Sequence, residues 1–207
     1  MKGYFITVEG LDGCGKTTQL NNIAGYFEQK GREVILTREP GGTKLGEKIR
    51  EILLDVDNTG MNSVAELMLY AAARAQVVSE FIIPAVEKGK IIICDRFVDS
   101  SIAYQGYGRK LGADMVKGIN SYALQGCTPD ITFFFDISPE EIAARKTMKE
   151  KLDRLESEKI DFHGRVYKGY LDLAEAEKKR IVVIDARKGI EEIFSEIKRH
   201  LDACLNK

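Results

Sequence analysis

Short apolar runs alternate with longer amphipathic stretches along the chain, and this alternation predicts its secondary structure. Runs rich in Ile, Val and Phe are typical of buried strands, and they cover residues 4–9, 33–37, 90–94, 131–136 and 181–185. The amphipathic stretches predict helices over residues 16–30, 44–55, 63–88, 113–125, 139–146, 156–178 and 189–205. Such alternation predicts an α/β fold, with a five-stranded parallel sheet flanked by helices on both faces.

Length and composition fit one soluble domain, which we expect to span residues 1–207. The formal net charge of −1 offers no basic surface for nucleic acid, so a bound anion must be held by local geometry. No apolar run approaches the length of a membrane span, and we expect no membrane partner. Four cysteines are scattered without a Cys-x-x-Cys pair, which favours a reducing, cytoplasmic location.

Residues 10–17 match the complete G-x-x-x-x-G-K-[ST] pattern of a phosphate-binding loop, between a predicted strand and a predicted helix. The residues are Gly10, Leu11, Asp12, Gly13, Cys14, Gly15, Lys16 and Thr17. The glycines allow successive backbone N–H groups to converge on phosphate oxygens at a helix N-terminus. Lys16 is expected to reach the β- and γ-phosphates of ATP, and the Thr17 hydroxyl to bind Mg²⁺. The alternative is a glycine-rich turn that only begins a helix.

Charged residues follow the second and third predicted strands, where parallel sheets bind their ligands. Asp95 ends an apolar strand, as expected of a carboxylate that orients Mg²⁺. Arg96 comes next, and its guanidinium could hold a phosphate through two hydrogen bonds; a surface ion pair is the alternative. Arg38 and Glu39 precede Pro-Gly-Gly, which predicts a sharp loop carrying an anion ligand and a carboxylate.

These segments together resemble the thymidylate kinase family over nearly the whole chain. The resemblance rests on residues 9–19, 37–43, 70–74, 95–97, 100–106, 129–130 and 152–156. It implies a nucleoside monophosphate kinase-like P-loop NTPase fold. It also implies transfer of the γ-phosphoryl group of ATP, with Mg²⁺, to thymidine monophosphate (TMP). The product is the diphosphate (TDP), which supplies dTTP synthesis. The family is usually dimeric, and we expect a homodimer.

The resemblance also implies roles for residues around the acceptor. Arg38 and the Asp95–Arg96 pair hold the acceptor phosphate, and Asp12 lies between the two nucleotides. Tyr70 stacks on thymine and Arg74 hydrogen-bonds its O4; the alternative for Tyr70 is ordinary helix core. The remaining implied contacts are Tyr104, which crowds the sugar against a 2′-hydroxyl, and the polar side chains of Ser100, Gln105 and Glu39.

A basic stretch follows the fourth predicted strand, where nucleotide kinases carry a mobile lid; we expect this lid at about residues 145–156. Taken alone, such a stretch is typical of a solvated helix face. Some relatives have a catalytic arginine in the P-loop where this chain has Gly13, so the resemblance implies that the lid supplies positive charge. The candidates are Arg145 and Lys149. Nucleotide-kinase architecture further suggests that adenine lies beside Arg187.

Three other classes of phosphate-binding protein are alternatives to this interpretation. Another small-molecule P-loop kinase, such as a deoxynucleoside kinase, is the nearest alternative. A GTPase-like switch needs an N-K-x-D motif and a transport ATPase needs L-S-G-G-Q, and the sequence contains neither. The sequence therefore predicts a phosphotransferase whose acceptor is a small molecule.

Overall fold

A parallel sheet organises the protein, as seen in a computed structural model that describes residues 2–145 and 153–205. Its strands are β1 (Tyr4–Glu9), β2 (Val34–Arg38), β3 (Ile91–Asp95), β4 (Ile131–Asp136) and β5 (Ile181–Asp185). They lie in the order β2-β3-β1-β4-β5, and every neighbouring pair is parallel. The predicted sheet is confirmed; β2 and β3 begin and end one residue later than predicted.

Helices cover both faces of the sheet, because successive strand residues point to opposite sides and both sets are buried. On β3, Ile91, Ile92 and Ile93 are each 0% exposed. The helices are α1 (Lys16–Gln29), α2 (Lys44–Leu54), α3 (Ser63–Val77), α4 (Ile83–Glu87), α5 (Val98–Ser101), α6 (Ala113–Leu124), α7 (Pro139–Arg145), α8 (Ile160–Ala176) and α9 (Ile190–Leu205). This arrangement confirms the predicted α/β class.

The long helix predicted over residues 63–88 contains a wider, π-helical turn at Val78–Ile82, between α3 and α4. Pro84 explains the irregularity, since its ring would clash with the carbonyl oxygen four residues earlier in a regular α-helix. The whole helix, Ser63–Glu87, is long and apolar enough to cross a membrane by length and composition alone. This is weak evidence, because the core helices of soluble proteins have the same properties.

Three further helical segments differ from the predictions. The short helix α5 was not predicted, and neither was the second π-helical segment, Ile102–Gly108, that continues it, because the glycines and small residues of this segment give no helical pattern. It is held by packing: a Cβ on Gly108 would lie 2.7 Å from the Phe162 ring of α8. The helix predicted from residue 156 begins only at Ile160, because the Asp153 side chain accepts hydrogen bonds from the amides that follow it and forms a turn.

Candidate active site

The loop between β1 and α1 has the geometry of a phosphate cradle. Gly10 has a φ of 140°, and a Cβ there would lie 2.9 Å from the carbonyl oxygen of Phe135, so only glycine fits. Gly15 caps α1 in the left-handed conformation. Lys16 is 6% exposed, and its Nζ donates to the carbonyl oxygens of Gly10 at 3.2 Å and Leu11 at 3.0 Å. The ammonium group and the helix N-terminus therefore create a compact anion-binding loop.

Arg96 joins this loop to a neighbouring cavity. Its backbone follows β3 with a φ of 68°, and its Nη2 lies 2.7 Å from Oδ1 of Asp12 in the loop. The guanidinium also lies over the ring of Tyr104, 5.2 Å from its centroid. A cation in this position can contact anions bound on either side of it.

The cavity has a volume of about 140 Å³ and contains every residue that the sequence assigned to the acceptor. Its walls are formed by Asp12, Arg38, Glu39, Pro40, Arg50, Leu54, Tyr70, Arg74, Asp95, Arg96, Phe97, Ser100, Ser101, Tyr104, Gln105, Asp153 and Leu155. Asp12, Arg38, Glu39, Asp95 and Arg96 come from the carboxyl ends of strands or the loops that follow them, whereas Arg50 and Arg74 come from α2 and α3. Tyr70 lies on α3 and Tyr104 on the π-helical segment. One end is thus suited to an anion and the other to a planar ring.

The ring end is built around a buried ion pair between Arg74 and Glu39. Two guanidinium nitrogens of Arg74 lie 2.8 and 2.6 Å from the same Glu39 oxygen. Nη1 of Arg74 donates to the Ser101 hydroxyl at 3.0 Å and to Asn120. Burial raises the pKa of Glu39 to about 7, with Arg74 opposing the rise. These contacts hold the Arg74 side chain rigidly in the wall of the cavity.

Three cavity residues have buried oxygen atoms without a hydrogen-bond partner in the described part of the chain. They are Glu39 Oε1, Asp95 Oδ1 and Tyr104 Oη. Buried polar atoms in proteins almost always have partners, so a cluster of such oxygens around one cavity indicates a site that binds polar ligands.

Comparison with known proteins assigns the family. The Thymidylate kinase family model matches residues 8–197. Thymidylate kinase from Exiguobacterium sp. is 50% identical over 197 residues, covering 95% of this chain and 93% of that protein. The chain belongs to the thymidylate kinase family. Thymidylate kinase from Halothermothrix orenii is 48% identical over 210 residues, covering 100% of both chains. A crystal structure of thymidylate kinase from Ehrlichia chaffeensis aligns with a TM-score of 0.81 and 33% identity, covering 97% of this chain and 100% of that one.

Thymidylate kinases phosphorylate TMP to TDP, so the predicted reaction and enzyme class are confirmed. The enzyme is a nucleoside monophosphate kinase, and the comparisons give no support to the deoxynucleoside kinase alternative. The resemblance noted in the sequence, and the P-loop fold it implied, are confirmed in the same way.

Arg38 and Arg50 are among the charged residues that line the cavity. Arg38 is half exposed and pairs with Glu47, Nη2 to Oε2, at 2.9 Å. Arg50, on α2, donates from Nη1 to the carbonyl oxygen of Pro40 at 3.0 Å. Arg50 was not among the predicted site residues. No pattern in the sequence distinguished it, since Glu47 and Arg50, three residues apart on a predicted helix, are equally typical of a solvated face.

A buried carboxylate under the thymidylate kinase site was also missed. Glu9 is 0% exposed and accepts hydrogen bonds from the Phe97 amide at 2.7 Å, the Ser100 hydroxyl at 2.6 Å and the Tyr170 hydroxyl at 2.9 Å. Burial raises its pKa to about 7, with Asp99 adding to the rise. Glu9 therefore anchors the turn that carries Arg96. Tyr170 is 161 residues away along the chain, so no local pattern could reveal the contact.

Of the predicted lid at about residues 145–156, Asp153 and Leu155 line the cavity, whereas Arg145 and the predicted adenine residue Arg187 do not. Arg145 ends α7, and its Nη1 donates to the carbonyl oxygen of Ala186 at 3.1 Å. Arg187 is exposed and pairs with Asp185, Nε to Oδ1, at 2.6 Å. Arg145 and Arg187 thus flank the loop after β5, and neither lines the acceptor cavity. Lys149 lies outside the described residues, and its role stays a prediction.

Proposed function

We propose that this thymidylate kinase binds the phosphates of ATP on residues 10–17 and TMP in the adjacent cavity, and transfers the γ-phosphoryl group in line between them. The contact between Asp12 and Arg96, at 2.7 Å, carries this proposal, because it joins the phosphate loop to the cavity. Lys16 and Arg96 neutralise charge on the transferring group. The acceptor phosphate is already anionic near neutral pH, so the reaction needs no general base.

Different residues of the cavity contact the phosphate, the base and the sugar of the acceptor. Arg38 and Arg96 hold its phosphate at the charged end. Tyr70 stacks on thymine, and Arg74 donates to O4. Tyr104 is 6% exposed and disfavours a 2′-hydroxyl, which would lose water contacts against the ring. The polar side chains of Glu39, Ser100 and Gln105 complete the contacts to substrate.

We propose Thr17 and Asp95 as the protein ligands of Mg²⁺. Support comes from Asp95 Oδ1, which is buried without a hydrogen-bond partner in the described part of the chain. Among residues 2–145 and 153–205 there is no cluster of three or more His, Cys, Asp or Glu suited to a metal. That fits Mg²⁺ in kinases, which typically takes one or two protein ligands and completes its shell with phosphates and water. Bound there, the ion supplies positive charge at the donor phosphates.

The residues that contact ATP outside the phosphate loop are proposed from the sequence predictions for the lid and for adenine. Arg145 and Lys149 bring positive charge to the transferring phosphoryl group, since Gly13 cannot. Arg187 flanks adenine, with the loop after β5. The contact of Arg145 with Ala186 in that loop supports a common position on the donor side. Closure of a lid at about residues 145–156 would bring these cations over ATP.

Two further proposals concern the protein as a whole. We propose a homodimer formed through helices that flank the sheet; support comes from Met68 on α3, which is 53% exposed, and Tyr122 on α6, which is 86% exposed. Light scattering during size-exclusion chromatography tests it, and a monomeric mass would contradict it. We also propose a cytoplasmic location, supported by four free cysteines.

The acceptor assay tests the proposed function. Pure protein, ATP and Mg²⁺ are combined with TMP, dUMP, UMP or thymidine, and ADP formation is followed. TMP is expected to be the best acceptor, and Lys16→Met, the matched control, is expected to abolish turnover of every acceptor. Phosphorylation of thymidine in preference to TMP would favour a deoxynucleoside kinase, and hydrolysis of ATP independent of any acceptor would contradict the proposal.

A further inference from the structure

A second buried carboxylate, Glu66 on α3, lies behind the ring end of the cavity. It is 0% exposed and is surrounded by three donor side chains from two segments of the chain. Oε1 accepts from Gln105 Nε2 at 2.8 Å and from Arg109 Nε at 3.2 Å. Oε2 accepts from Arg109 Nη2 at 3.1 Å and pairs with Arg154 Nη1 at 2.7 Å. Glu66 is not a wall residue of the cavity, but it touches one through Gln105.

These donors keep Glu66 ionised. Burial alone would raise the pKa of the carboxyl, but hydrogen bonds from Arg109, Gln105 and Arg154 outweigh it and hold the pKa below its ordinary value. An ionised carboxylate accepts hydrogen bonds and donates none. The atom of the Gln105 amide that faces Glu66 must therefore be the nitrogen.

This contact determines which end of the Gln105 amide faces the cavity. With Nε2 held by Glu66, the carbonyl oxygen Oε1 is the end left for the cavity that Gln105 lines. No hydrogen bond reaches Oε1 from the described residues, and it is not among their fully buried, unpartnered atoms. Gln105 itself is fixed in the π-helical segment, where its backbone carbonyl accepts from the Leu111 amide at 3.2 Å.

We propose that Glu66 is a positioning residue that sets base specificity by fixing the carbonyl oxygen of Gln105 towards the acceptor base. The inference rests on the proposed binding of TMP in the cavity. A base with an N–H at ring position 3, such as thymine or uracil, can donate to this oxygen. Cytosine has a lone pair at N3, which would face the lone pairs of the oxygen. Arg74 adds to the selection, because it presents only N–H donors and so favours the O4 acceptor over the amino group of cytosine.

The experiment compares kcat/KM for TMP with kcat/KM for dCMP in the wild-type enzyme and in Glu66→Gln. A glutamine at position 66 can donate as well as accept, so the Gln105 amide becomes free to rotate and match cytosine. The ratio of TMP to dCMP is expected to fall about tenfold or more. Arg109→Lys is the matched control, since it disturbs an ion pair of Glu66 but keeps a positive charge beside the carboxylate, which stays ionised and holds the amide. Its ratio is expected to stay at the wild-type value.

An unchanged ratio in Glu66→Gln would overturn the inference. An equal fall in Arg109→Lys would also overturn it, because both variants would then only reflect a general loss of order around the cavity. Should Glu66→Gln fail to fold, a crystal structure of the wild-type enzyme with TMP gives the readout. One end of the Gln105 amide is expected on Glu66 and the other within hydrogen-bond distance of N3; an amide out of reach of N3 would refute the role. Wild-type turnover of TMP separates the two claims: without it the proposed function fails, and with it only the specificity role is in question.

Discussion

Removing the hydroxyl group of Tyr170 tests how the acceptor phosphate site is held. This hydroxyl lies 3.1 Å from Nη1 of Arg96, 2.9 Å from Oε2 of Glu9 and 2.8 Å from Oγ of Ser100. Tyr170→Phe keeps the stacking of the ring on Phe134, with centroids 5.1 Å apart, so packing is preserved. Arg96 and Glu9 each keep a contact with Ser100. We therefore expect a loss at the low end of the range for hydrogen bonds to charged groups, about 1.5–2 kcal/mol in the free energy of unfolding.

The kinetic effect should fall on the acceptor, because Arg96 loses one of the contacts that orient its guanidinium. We expect KM for TMP to rise about tenfold, the equivalent of about 1.4 kcal/mol, while KM for ATP stays unchanged. Initial rates of ADP formation, measured while each substrate is titrated in turn, give both constants. Phe162→Leu, which changes an aromatic neighbour of Tyr104 and keeps the hydroxyl network, serves as a packing control. A wild-type KM for TMP in Tyr170→Phe would refute the reasoning.

Three further predictions concern the metal, the buried carboxylate and the lid. Asp95→Asn should raise the Mg²⁺ concentration for half-maximal activity about tenfold or more; an unchanged Mg²⁺ titration would contradict the assigned ligand. Burial raises the pKa of Glu9 from 4.5 to about 7, so the folded state binds this proton more tightly than the unfolded state does. The free energy of unfolding therefore falls as the pH rises from 4.5 to about 7. Between pH 5 and pH 8 the free energy of unfolding of Glu9→Gln should therefore rise by about 3 kcal/mol relative to that of the wild type, as measured by urea unfolding. Parallel pH profiles for the two proteins would contradict the raised pKa. Arg145→Ala or Lys149→Ala should lower kcat about tenfold or more with little change in KM for TMP, and wild-type turnover in both would disprove the lid assignment.

The sequence could predict the parts of the site that depend on local pattern. Strand ends in a parallel sheet share one edge, so the positions of Lys16, Asp95 and Arg96 followed from apolar runs and the P-loop spacing alone. The acceptor residues Tyr70 and Arg74 needed the family resemblance, because their spacing on a helix is equally typical of a core face.

The supporting residues could not be predicted, because each acts through a contact that is distant in sequence. Gln105 lies 39 residues from Glu66, and Tyr170 lies 74 residues from Arg96. An acidic residue near the start of a helix is also favoured by the helix dipole, so the position of Glu66 in the sequence does not distinguish it from an ordinary helix residue. The segment Ile102–Gly108 was missed for a related reason, since its conformation depends on packing against α8.

A crystal structure of the enzyme with TMP and a non-hydrolysable ATP analogue tests the central claim most directly. The donor phosphates are expected against Lys16 and the backbone amides of residues 10–17. The phosphate of TMP is expected within hydrogen-bond distance of Arg38 and Arg96, with thymine beside Tyr70. A complex in which either arginine turns away from that phosphate, or in which TMP binds outside the cavity, would contradict the account.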